Sequence, residues 1–232
     1  MDHTLKKDFQ YTHKNPYHDR LAAFAHFVMR DEESEANAGK WNAHVFKREG
    51  VLNVEIGTGY GHFMMEYCED RAEENFVGLD FRFKRSYNLA RKLDRHPHKN
   101  FRYLRARGER VHFIFGESEV DRLFYFFPDP WPKKRHWKKR LFQMPFLESC
   151  AKALKPGGEL FIKTDHEGYA DWMEEVIEEQ AKKNLFSVEL ATRDMRGEYP
   201  EHLLSQYTTK FEKIFLKQDV KIKGFVLKNL KS

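Results

Sequence analysis

The turn Gly57-Thr58-Gly59-Tyr60-Gly61 constrains this chain most, because a strand pattern, Val51–Ile56, leads into it and a helical pattern, His62–Asp70, leads out. A strand, a tight glycine turn and a helix form half of a βαβ unit, which needs a parallel neighbour to bury its faces. The alternation continues. Strands are expected at Asn75–Asp80, Phe101–Arg105, about 121–127 and Glu159–Thr164, with helices at about Lys84–Arg95 and Lys138–Leu154. Lys155-Pro156-Gly157-Gly158 is a stop signal, and Tyr169, Trp172, Met173, Val176 and Ile177 mark one buried helical face. Phe186–Leu190 and Phe211–Leu227 are expected as antiparallel edge strands around a polar loop, Ala191–Tyr207. The fold class is α/β, a doubly wound, mostly parallel sheet of seven strands with an antiparallel C-terminal edge. Residues 1–50 are expected to pack on the 51–232 domain as an irregular extension, mobile at its start.

Charge is segregated along the chain. The net charge is +5, yet cations gather at Arg82–Arg95, Arg102–Arg110, Lys133–Arg140 and Lys210–Lys231, and acids at Asp31–Glu35, Glu66–Glu74 and Glu174–Glu179. Separate basic patches suit a phosphate backbone, and a solubilising surface is the plainer reading of any one of them. The 21 Phe, 10 Tyr and 4 Trp supply a core and exclude a disordered chain. Two cysteines, Cys68 and Cys150, offer neither a disulfide framework nor zinc spacing, which fits a cytoplasmic protein. No apolar stretch approaches membrane-spanning length, and Met1–Lys7 lacks the apolar core of a signal peptide. The 12 histidines show no i, i+4 or Cys-paired spacing, so no metal is expected.

The glycine turn carries two acids with it. Gly57 and Gly59 let backbone approach a ligand, and Asp80 closes the second strand, where a carboxylate can accept both ribose hydroxyls of an adenosine. The spacing departs from the dinucleotide fingerprint, since His62 stands where a glycine is needed. Glu55 sits beside the turn. A carboxylate there repels a pyrophosphate but suits a sulfonium with an amino-acid tail, which favours S-adenosyl-L-methionine over NAD. The plainer reading is an ordinary strand–turn–helix connection.

The other informative run is Phe127-Pro128-Asp129-Pro130-Trp131-Pro132-Lys133-Lys134-Arg135-His136-Trp137-Lys138-Lys139-Arg140. It follows a buried strand at the end where open α/β sheets bind ligands, and Pro130 restricts the backbone of Asp129. This run, Glu55–Gly59, Gly78–Asp80, Thr164-Asp165 and Thr209-Lys210-Phe211-Glu212 occur in one order over about residues 51–215. In these motifs the chain resembles the bacterial tRNA (guanine-N7)-methyltransferase family. The resemblance implies a class I methyltransferase fold, S-adenosyl-L-methionine as cofactor, and methyl transfer to N7 of a variable-loop guanine in tRNA. It implies Asp129 as the catalytic position, and Glu55, Gly57, Gly59, Asp80, Arg82 and Asp129 around the cofactor. It implies Lys133, Arg135, Asp165, Thr209, Lys210 and Glu212 at the substrate, in a monomer or homodimer. Two positions depart from the family: Asp80 replaces a frequent glutamate, and Arg107 stands near where relatives place an Asp or Asn against the adenine amino group. Arginine cannot accept that bond, which leaves Glu109 or backbone groups.

Guanine N7 carries a lone pair and no proton, so the transfer needs alignment and electrostatics rather than a general base. The six cations of Lys133–Arg140 are read as phosphate contacts at a helix start or as a solvated helix start. Trp131 can stack on a base or anchor a sheet edge, and Trp137 packs. Asp165 can meet the guanine Watson–Crick edge, cap the following helix, or both. A non-catalytic RNA-binding subunit and a methyltransferase for a non-RNA substrate are the competing functions.

Overall fold

The structure, a computed structural model, describes residues 6–231. The start of the chain, expected to be mobile, lies outside the described residues. A short helix α1 (Pro16–Leu21) is followed by strand β1 (Val28–Arg30). The alternating body runs β2 (Leu52–Ile56), α2 (His62–Asp70), β3 (Asn75–Asp80), α3 (Phe83–Leu93), β4 (Phe101–Arg105), α4 (Val111–Ile114), β5 (Val120–Phe126), α5 (Met144–Ala153), β6 (Leu154–Thr164) and α6 (Glu167–Ala181). The chain closes with β7 (Phe186–Thr192), the short helices α7 (Met195–Glu198), α8 (Leu203–Gln206) and α9 (Lys210–Leu216), and β8 (Lys223–Asn229).

The sheet has the order β1-β4-β3-β2-β5-β6-β8-β7. Pairing is parallel from β1 to β6, and β8 runs antiparallel to both β6 and β7. The order reverses between β2 and β5, so a crevice opens beyond their carboxyl ends. Every residue of β2 and β3 is buried, as expected for central parallel strands covered on both faces. Alternation along β5 sorts the core into two layers. Leu123 and Tyr125 pack with Phe146, Tyr169 and Met173 on the α5–α6 side, and Phe124 and Phe126 pack with Phe63, Tyr67 and Leu89 on the α2–α3 side.

Four expectations change. The sheet has eight strands rather than seven, because Val28–Arg30 pairs in parallel with Tyr103–Arg105 and extends the edge. Helix α5 starts at Met144, not Lys138, because Pro145 fixes the first helical turn and the cationic run winds into a separate 3₁₀ segment, Lys134–Lys139. The Lys155–Gly158 segment lies within β6 next to a register shift, so it bends the strand instead of preceding it. Finally, the first half of Phe211–Leu227 is helical, because Thr209 caps α9 by accepting the Glu212 amide, and only Lys223–Asn229 pairs as a strand.

Candidate active site

The glycine turn bends under the end of β3. Gly57 and Thr58 donate their amides to Leu79 O at 2.8 and 3.0 Å, and Gly59 donates to Asp80 Oδ2 at 3.2 Å. These amides are therefore spent inside the fold and do not point at a pyrophosphate. Gly57 has φ of +86°, and a Cβ there would meet open space, so only the backbone conformation demands glycine. Asp80 is buried and held by the Arg82 amide at 2.9 Å, with the Arg85 guanidinium 3.6 Å away. Glu55 is also buried, and its Oε2 has no hydrogen-bond partner. Burial pushes its carboxyl up to about 8, Asp80 adds to the rise, and Lys163 opposes it.

Asp129 stands on a turn that is stiff by construction. Phe127 and Trp131 both take left-handed φ, +49° and +44°, and prolines occupy 128, 130 and 132. Non-glycine residues hold such conformations only where the surroundings enforce them. The Phe127 amide donates to Lys163 O at 2.8 Å, and Arg140 Nε donates to Pro130 O at 2.9 Å. Arg140 is thereby corrected from a phosphate contact to a buried anchor, 2% exposed and stacked among Trp137, Tyr169 and Trp172. The Asp129 carboxylate accepts from Arg82 Nη2 at 2.8 Å across the crevice. Trp131 lines the crevice with Lys139 over its ring, whereas Trp137 packs against Trp172. Lys133, Lys134, Arg135, Lys138 and Lys139 are exposed on the rim.

Two lobes meet at Asp129. One is bounded by Asp80, Phe81, Arg107, Glu109 and Trp131, and the other by Glu55, Tyr60, Asp165, Thr209 and Lys210. In the second lobe His166, not Asp165, caps α6 by accepting the Tyr169 amide at 3.1 Å, which leaves the Asp165 carboxylate to the crevice. Its carboxyl is raised, mainly by burial. Lys210 Nζ lies 4.0 Å from the centre of the Tyr60 ring, joining α9 to the glycine turn. Glu212 is not in the crevice. It is fully buried, bonded to Lys163 Nζ at 2.6 Å and Arg196 Nε at 2.9 Å, and so fixes α9 from behind. In the first lobe Arg107 is 3.7 Å from Glu109 and lies near the rings of Phe9 and Phe81. The sequence reading missed Lys163. Its signal was a lone lysine in an otherwise apolar strand end.

A family model described as "Putative methyltransferase" matches residues 49–224. The chain belongs to this methyltransferase family. It is 31% identical over 216 residues, 91% of its length, to a "Bifunctional glycosyltransferase/methyltransferase" of Fusobacterium nucleatum. It spans 32% of that relative, about a third of its length. Among solved structures it is similar to the 16S rRNA methyltransferase KamB, with a TM-score of 0.59 and 14% identity over 85% of this chain and 91% of that one. TrmN from Thermus thermophilus gives a TM-score of 0.53 and 18% identity over 78% of this chain and 44% of that one. A SAM-dependent methyltransferase from Aquifex aeolicus gives 0.52 and 15% over 78% and 83%. At such identities the likeness shows the fold alone, and it is the class I methyltransferase fold.

The cofactor of this methyltransferase family is S-adenosyl-L-methionine, and the crevice fits it. The buried Glu55 carboxyl, with Oε2 unpartnered, suits an ammonium tail whose charge favours its ionised form, the Gly57, Thr58 and Gly59 amides are already bonded within the fold, and Asp80 closes β3. Among the described residues no helix is long and apolar enough to cross a membrane.

Proposed function

We propose that this methyltransferase transfers the methyl group of S-adenosyl-L-methionine to N7 of a guanine in tRNA, in the variable loop by the family resemblance. The observation that carries this reading is the pair of carboxylates at the second lobe, Asp129 on its stiff turn and Asp165 released from helix capping. Guanine presents N1–H and N2–H donors on its Watson–Crick edge, and a carboxylate accepts both, whereas adenine offers an acceptor there and is repelled. Asp165 takes that role.

The cofactor supplies an electrophilic methyl group. The chain supplies the rest. Glu55 and Asp80, with Gly57, Gly59 and Arg82, hold the cofactor, and Glu109 with the Gly108 backbone faces the adenine in place of an acid at Arg107. Asp129 orients the base and places negative charge where the purine becomes positive, with Arg82 restraining it before substrate arrives. N7 loses no proton, so Asp129 is a positioning and electrostatic group rather than a base. Lys133, Arg135 and Lys210 meet phosphates, and Thr209 holds the start of α9 at the substrate. The buried Glu55 keeps a free acceptor at cost to the fold, which argues against a non-catalytic RNA-binding subunit.

Incubation with an unmodified tRNA transcript and methyl-labelled S-adenosyl-L-methionine, followed by nucleoside analysis and strand mapping, tests the proposal. Label in 7-methylguanosine at one variable-loop position is expected. Label in any other nucleoside, or none, overturns it.

A further inference from the structure

We propose that His13, His18 and Asp31 form a binding site for a divalent transition metal, zinc by the chemistry of its donors. One ligand atom from each lies within 4.8 Å of the others. His18 Nε2 and His13 Nε2 are 3.3 and 3.6 Å from Asp31 Oδ2. These separations are long for N–H···O bonds, and Oδ2 is buried with no hydrogen-bond partner. They match the spacing of two ligands on one tetrahedral zinc, about 3.3 Å for bonds of about 2.0 Å. Glu32 Oε2 bonds His13 Nε2 at 3.0 Å but falls outside the group of three, so solvent supplies the fourth position.

The surrounding bonds are those that metal ligands need. A ligating histidine turns its other ring nitrogen to a carboxylate, and a ligating carboxylate has its second oxygen bonded. His18 Nδ1 is 3.3 Å from Asp19 Oδ1, and Asp31 Oδ1 accepts from Arg105. Asn15 caps α1 with Pro16 in its first turn, which fixes the backbone carrying His18. The His13 and His18 rings are stacked with centroids 4.5 Å apart, so the half-exposed His13 ring would turn about its side-chain bonds to aim Nε2 at the metal. Asp31 has left-handed φ, +51°, and is fully buried. The spacing of five residues between the histidines gives no sequence motif, so the expectation of no metal rested on a pattern this site does not use. Bound metal would clip the N-terminal segment to the β4 edge. Arg105 Nε donates to Phe81 O at 3.1 Å, so the clip adjoins the wall of the first crevice lobe.

Untagged protein, stripped with a chelator and dialysed, is titrated with zinc sulfate while metal content and thermal melting are followed. One zinc retained per chain and a rise in Tm are expected, with cobalt(II) substitution giving visible d–d absorption. A His13→Ala, His18→Ala variant should lose all three while keeping a cooperative melt and its Tm response to S-adenosyl-L-methionine. Zinc content far below one per chain, or equal content in the double variant, overturns the proposal. His13→Ala alone, at a half-exposed side chain, provides the check if the double variant fails to fold, and it too must release the zinc.

Discussion

At the residue scale, Glu55 sets function against stability. Its folded carboxyl titrates at about 8 and its unfolded one near the ordinary 4.5. A raised carboxyl contributes most below the unfolded value, and that contribution is lost as pH rises through the folded value. Glu55→Gln removes the titration. The ligand-free variant should therefore gain Tm over the parent between about pH 5 and 8, most at the alkaline end. It should also bind S-adenosyl-L-methionine at least about tenfold more weakly, the loss of one charged hydrogen bond. Calorimetric binding and melting across pH check both arms. Asp129→Ala should lower kcat by about 100-fold or more, the scale of removing one electrostatic group at a reacting centre. Binding of tRNA, followed by filter retention, should change little. Near-parental kcat would remove Asp129 from the mechanism.

At the scale of elements, the crevice depends on α9, and α9 depends on a buried ion cluster. Lys163 Nζ reaches Glu212, Leu204 O and Tyr207 O, so one strand end holds both the helix and the loop before it. Lys163→Met should cost about 3 kcal/mol by denaturant unfolding, the lower end for breaking a buried pair because Arg196 still meets Glu212. A loss under about 1 kcal/mol would mean that the cluster does not hold the helix. The body strands β2 and β3 are legible because short, mostly apolar segments end at the glycine turn and at Asp80, and β4 because Phe101, Tyr103 and Leu104 stand among charged neighbours. Helix α9 is masked in the sequence, although Thr209 and Glu212 have the spacing of a capping box, because Phe211, Ile214 and Phe215 also suit a strand. The start of α5 is hard to place because a run of lysines and arginines has good helix propensity, whereas Pro145 marks the true first turn.

At the scale of the molecule, the crevice, with Glu55, Asp80, Glu109, Asp129 and Asp165 on its walls, lies between two basic flanks. On one side α3 turns Lys84, Arg91 and Lys92 outward, and on the other Lys133, Lys134 and Arg135 stand exposed after the Asp129 turn. Under the proposed function, a polyanion is drawn to the rim, and the carboxylates inside take the cationic cofactor and a donor-rich base. Sequence alone carried this separation of charge, but not which cations serve it. Arg140 and Arg110 are buried anchors despite lying in basic runs. The double substitution Lys133→Ala, Arg135→Ala should raise KM for tRNA and reduce the slope of log affinity against log salt by about 2, one for each phosphate contact. Affinity for S-adenosyl-L-methionine should be unchanged. A salt slope equal to the parent's would move the RNA elsewhere. The identity of the acceptor atom is tested most directly with a tRNA transcript in which every guanosine is 7-deazaguanosine, leaving carbon where N7 stood. Methyl incorporation should vanish while the transcript still competes with ordinary tRNA for binding. Sustained incorporation into the deaza transcript would contradict methylation at guanine N7.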